Sequence, residues 1–176
     1  MSSRAGSFVL LVTFVTLSTI TSQYMWHLFG WFMLPQLFLI FSIASLGENF
    51  VSSQGYYHYT RHRRNGPFMR KVPLWIAFLW IFLIQGSLLL SLTIGFSGLQ
   101  AALFSGMVAC TIDFLLLEPF LSRYMELWRW TPIKRGYFYF IPARLNRFTA
   151  PPGNYIAWIL FPVLANSYLI LSMLAS

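Results

Sequence analysis

Residues 45–80 read SLGENFVSSQGYYHYTRHRRNGPFMRKVPLWIAFLW, and this stretch decides the fold. An apolar run ends at Glu48; Tyr56, Tyr57 and Tyr59 follow; then come Arg61, Arg63, Arg64, Arg70 and Lys71, and a second apolar run opens at Val72. That is the order of a helix, a loop and a helix at a membrane surface. Tyrosine suits the headgroup layer, and arginine and lysine suit water beside anionic lipid. Glu48 falls near the edge of the hydrocarbon, where an ionisable group marks a place to look for chemistry.

Composition agrees. Of 176 residues, 57% are hydrophobic and only 9% charged, and the mean hydropathy is +0.64, so a soluble core of this size has no room for the apolar surface. A net charge of +8 would suggest nucleic acid in a soluble protein. Here the basic residues lie between apolar runs, which points to lipid headgroups and to no nucleic acid partner. Cys110 is the single cysteine and sits inside an apolar run, so no intrachain disulfide and no cysteine metal cluster is available.

Apolar runs place spans at about 7–22, 24–46, 72–96, 99–120 and 155–175, each near the roughly 20 residues that cross about 30 Å of hydrocarbon as a helix. Thr21, Ser22 and Gln23 read as the link of a hairpin between the first two, and Ser97 and Gly98 as the turn between the third and fourth. The first run follows Arg4 without a small-residue cleavage site, so it reads as a retained span and not a signal peptide. Pro35 and Pro162 fall within spans, where neighbouring helices cover the gap in the backbone ladder. Five spans put the N-terminus and the loops 47–71 and 121–154 on one side, and all 12 Lys and Arg residues lie there. By the positive-inside rule the N-terminus is inside and the C-terminus outside. The expected fold is therefore all-α, a polytopic transmembrane helical bundle forming one integral membrane domain over 1–176. The expected location is a prokaryotic plasma membrane or an internal membrane derived from it.

The acids Glu48, Asp113, Glu118 and Glu126 lie on or near the inner face as well. In TIDFLLLEPF (111–120), Asp113 sits within the inner half of the fourth span and Glu118 just before the proline expected to end it. A carboxylate at that depth faces the bundle and takes a partner, either an arginine or a reacting group. His58 and His62 are four apart, a spacing that would put two imidazoles on one helix face. With only His27 elsewhere, near the opposite side, no metal centre is expected. Trp128, Trp130, Tyr137, Phe138, Tyr139 and Phe140, with Arg123, Arg129, Lys134 and Arg135, read as an interfacial belt or as a mouth lined by flat faces that suit a polyene or a cation. There is no phosphate-binding glycine loop, no Ser-His-Asp order, no haem motif and no repeat.

Taken in order, these residues resemble a family. Glu48, then Gly55-Tyr56-Tyr57-His58-Tyr59-Thr60, then Val72-Pro73-Leu74 with Trp80 in the next span, is similar to the membrane carotenoid biosynthesis proteins that include bisanhydrobacterioruberin hydratase. Asp113, Glu118-Pro119, Trp128-Arg129-Trp130, Asn154-Tyr155 and Trp158 continue the likeness, which runs from about Gly47 to Trp158. The chain departs from the family in having fewer spans and in the stretch PARLNRFTAPPGN (142–154).

The resemblance implies addition of water to the terminal double bond of an acyclic carotenoid, or another polyprenoid, without cofactor or metal. Asp113 would protonate the alkene from a low-dielectric site, and Glu48 or Glu118 would orient water. Tyr56, Tyr59, Trp128, Trp130 and Asn154 would surround the polyene end. The competing expectation is a non-catalytic small subunit of a larger membrane complex, with membrane lipid, a carotenoid and other integral subunits as partners, its acids paired to arginines. Transport is the weaker class, since no inverted repeat is present.

Overall fold

The computed structural model describes residues 8–61, 63–132, 138, 140–142 and 148–175. It is mostly helical. Among the described residues, four helical stretches are long and apolar enough to cross a membrane: Val9–Ser53, Trp75–Thr93, Gly98–Tyr124 and Pro152–Leu174.

The first stretch is bent back on itself. Helix α1 (Val9–Phe29) ends at Gly30, whose φ of 53° is open to glycine and strained for other residues. A single 3₁₀ turn, Gly30–Phe32, leads into α2 (Met33–Ser42), a π-helical turn (Ile43–Gly47) and α3 (Glu48–Ser53). Leu11 and Val15 of α1 line one cavity with Ala44 and Ser45, and Ser18 and Ser22 line another with Leu37 and Phe41, so the two arms run alongside each other in opposite directions. The expected reversal at Thr21, Ser22 and Gln23 is corrected: all three are helical. Their polarity has another cause, because the Thr21 and Ser22 hydroxyls donate to Gln85 Oε1 at 3.3 and 2.8 Å. Pro35 lies in the first turn of α2, where its missing N–H leaves no helical bond unmade, so it marks the helix start and not a kink.

Helix α4 (Trp75–Thr93) follows the first long connection, and α5 (Gly98–Ile112) follows the short turn at Ser97, as expected. Helix α5 does not stop before Pro119. It continues as a π-helical segment, Asp113–Tyr124, which passes through Pro119. Helix α6 (Pro152–Leu174) closes the bundle against α5, and Gly106 sets their separation. A Cβ there would stand 2.5 Å from the Ile159 carbonyl oxygen, so the backbones touch.

The expected loops carry structure. Helix α3 extends the second arm to Ser53, and the strands β1 (Tyr57–Tyr59) and β4 (Trp128–Trp130) pair antiparallel, joining the two long connections at one end of the bundle. A small hairpin, β2 (Phe68–Met69) with β3 (Val72–Pro73), turns at Arg70 and Lys71. Away from that end, one buried polar cluster ties all the long helices together. Gln85 donates to Gln36, Gln36 donates to Asn166 Oδ1 at 2.8 Å, and Asn166 donates to Ser105 Oγ at 2.8 Å and to the Ile84 carbonyl.

Candidate functional site

At the loop-rich end a cavity of about 50 Å³ is lined by Glu48, Asp113 and Glu118, with Tyr57, Tyr59, Trp80, Trp128, Trp130, Asn154 and Trp158 among its walls. Three local features bring these side chains together.

The first is the two-stranded ribbon. Its register pairs Tyr57 with Trp130 and Tyr59 with Trp128, with His58 opposite Arg129 between them. Alternate residues of a strand face opposite ways, so the four aromatics share the inner face and His58 and Arg129 share the outer one. The Tyr57 and Trp130 ring centroids lie 4.8 Å apart and those of Tyr59 and Trp128 6.3 Å. Across the cavity, Trp80 of α4 meets Trp158 of α6 at 4.9 Å.

The second is the π-helical segment. Asp113 and Glu118 are five residues apart, which in an α-helix of 3.6 residues per turn leaves them about 140° apart around the axis. Bonding from i to i+5 stacks such residues much more nearly over one another, and here both carboxyls reach the same cavity. The π-helical turn Ile43–Gly47 immediately precedes Glu48 in the same way.

The third is the uneven supply of hydrogen-bond donors. Glu118, 1% exposed, accepts from the Trp128 indole at 3.1 Å, from Trp130 at 3.0 and 3.2 Å, and from the Thr149 hydroxyl at 3.2 Å. Glu48 accepts on Oε2 from the Tyr57 phenol and from Tyr59 at 3.0 Å. Asp113, 2% exposed, accepts from Asn154 Nδ2 at 2.8 Å alone among the described residues. None of these partners is a lysine or arginine. One ion pair, Arg129 with Glu126 at 2.7 Å, lies exposed on the outer face of the ribbon. Burial, and next the Glu48 carboxylate, push the Tyr59 phenol well above its ordinary range, so Tyr59 stays protonated and remains a donor.

Of the residues singled out from sequence, the cavity gathers Glu48, Asp113, Glu118, Tyr59, Trp128, Trp130 and Asn154. Tyr56 is excluded: it is 61% exposed, and its neighbour Tyr57 takes the inward place because the strand alternates from there. Trp80 and Trp158 were legible as parts of the resemblance without a role. Thr149 had no signal. His58 lies on a strand facing away from the cavity, so the helical face expected for it with His62 does not form; His62 itself lies outside the described residues, as do Lys134, Arg135, Tyr137 and Tyr139. The cavity can hold a water, whose share of liquid volume is about 30 Å³, between carboxyls of different hydrogen-bonding state. No protein-family model, characterised protein or solved structure matches the chain.

Proposed function

We propose that this protein is an integral membrane hydratase that adds water to the terminal double bond of an acyclic carotenoid by acid catalysis. The observation that carries the reading is the shared cavity, where three carboxyls meet indole and phenol faces with no basic counter-ion among the described residues. Acids kept only to neutralise arginines would have no need of an aromatic enclosure.

Roles follow from the donors each acid receives. Asp113, with one, gives up least by carrying a proton, and it protonates the less substituted alkene carbon to leave a tertiary cation at the other. The rings of Trp80, Trp128, Trp130 and Trp158 flank that cation, an arrangement favourable within about 6 Å of a ring. Glu48, fixed by two phenols, orients the water; its oxygen bonds to the cation and its released proton passes to a carboxylate, restoring the acid. Glu118, saturated by donors, fixes the tryptophans. At about 50 Å³ the cavity fits the water alone, so substrate binding moves apart the half-buried walls Trp80, Trp130 and Asn154.

The same proposal takes the chain across the bilayer five times with its N-terminus inside. Helix α1 has 21 residues, about 32 Å at 1.5 Å each, and the reversal at Gly30 lets the arm to Ser53 return over the same distance. Expression in a host that accumulates lycopene, with pigment analysis by mass, tests the activity. A gain of one water per chain end that vanishes in Asp113→Asn supports it. Unchanged pigment with a folded, membrane-inserted protein removes it in favour of a non-catalytic membrane subunit, to be followed by native purification of the partner.

A further inference from the structure

On the other side of α4 lies a second cavity, independent of the reading above. Ile76, Leu79 and Trp80 face the acids, whereas Leu74, Ala77 and Phe78 face this one. It has a volume of about 310 Å³ and is walled by α1, the α2 arm and the β2–β3 hairpin. Phe41 and Phe78 are walls both of this cavity and of an apolar groove of about 700 Å³ between α1 and α2. Both volumes are in the range of ligand sites.

One polar side chain breaks its apolar lining. Ser45 is 5% exposed, lies in the π-helical turn, and its hydroxyl oxygen, closed off from the cavity in this rotamer, has no hydrogen-bond partner among the described residues. A buried hydroxyl without a partner costs about 1–3 kcal/mol, so a turn about χ1 that brings it to an acceptor in the cavity is favoured. Water is a poor candidate, because a buried water needs two to four polar contacts and apolar cavities of this kind stay dry. A hydrocarbon chain that carries a single acceptor satisfies both the walls and the hydroxyl.

The hairpin at the rim narrows the choice. Met69 and Val72 line the cavity, and between them the turn residues Arg70 and Lys71 are exposed. Arg70 adopts a φ of 57°, a conformation that glycine or asparagine takes more cheaply. We propose that this cavity and groove bind one anionic phospholipid: an acyl chain within, an ester carbonyl accepting from Ser45, and the phosphate at Arg70 and Lys71.

Native mass spectrometry of the full chain in detergent, given equal dioleoyl phosphatidylglycerol and dioleoyl phosphatidylcholine, tests this. We expect one lipid retained per chain, with about a thirtyfold preference for phosphatidylglycerol from two basic side chains near the phosphate. The double variant Arg70→Gln/Lys71→Gln brings the ratio near one, and Ser45→Ala lowers retention about fivefold with folding intact. Filling the cavity with Ala77→Leu abolishes retention. Equal retention of the two lipids by the unaltered protein overturns the proposal. So does retention indifferent to Ser45→Ala, or displacement of both lipids by a co-extracted polyprenoid. The result stands apart from the hydratase assay, since none of these residues lines the acid cavity.

Discussion

Two buried polar clusters sit in this bundle, and they are built on opposite principles. The middle one uses neutral amides and hydroxyls: Gln36, Gln85, Asn166, Ser105, Thr21 and Ser22, drawn from α1, α2, α4, α5 and α6 and bonded to one another. The one at the loop-rich end uses three carboxyls, leaves one of them with a single donor, and keeps space beside it. A neutral network whose members satisfy one another fixes how helices pack. An acidic cluster left short of donors around a void is poorly suited to that task and well suited to handling a proton. The contrast teaches that depth of burial says little about role, whereas satisfaction of each polar atom says much.

The largest expected effect separates the clusters directly. Asp113→Asn keeps an acceptor for Asn154 and removes the proton, so we expect carotenoid hydration to fall by about 10²–10⁴, the usual contribution of a general acid, with thermal stability little changed. Both are read from one preparation, by pigment mass and by a melt in detergent. Loss of stability without a specific loss of activity would put Asp113 with the structural cluster.

Next comes Gly106→Ala, which bears on the seam that both clusters share. The added Cβ would stand 2.5 Å from the Ile159 carbonyl and from the Val163 side chain, forcing α5 from α6 at a cost of about 1–3 kcal/mol. Because Asp113 and Asn154 belong to those two elements, activity should fall along with stability. Gln85→Leu should act on stability alone. It strands Gln36, Thr21 and Ser22, yet measured hydrogen bonds within membranes average about 0.6 kcal/mol with a maximum near 1.7, so a modest drop is expected. Hydration per folded molecule should stay within about twofold, and a larger loss would show that the two clusters are coupled.

How much of this could be read beforehand follows from what kind of signal each feature leaves. A charge inside an apolar run stands out, and so Glu48, Asp113 and Glu118 were evident. Their meeting was not, because it depends on π-helical backbone bonding around Asp113–Tyr124, which no residue type announces and which Pro119 seemed to forbid. Tyr57-His58-Tyr59 and Trp128-Arg129-Trp130 carry the alternation of strands, but three residues are too few to distinguish from an interfacial belt, and the choice of Tyr56 over Tyr57 was lost with it. Thr21, Ser22 and Gln23 looked like a turn because hydroxyls and amides favour turns; their partners, 64 and 63 residues away for Thr21 and Ser22, are visible only in three dimensions.

The smallest effect concerns the phenol that holds Glu48. Tyr59 is pushed above its ordinary value near 10 by burial and by the Glu48 and Glu118 carboxylates, so between that value and its folded one the folded state keeps a proton that the unfolded state has released. Stability from this source is complete below about pH 10 and declines as pH rises beyond it, with a slope of at most about 1.4 kcal/mol per pH unit. Tyr59→Phe removes that titration while Tyr57 still donates to Glu48, so its melts at pH 9, 10 and 11 should decline less steeply than those of the unaltered chain. Identical slopes would mean that Tyr59 can ionise inside the fold. A cavity that tolerates a third negative charge is wet, and a wet cavity would neither hold Asp113 protonated nor shield a tertiary cation.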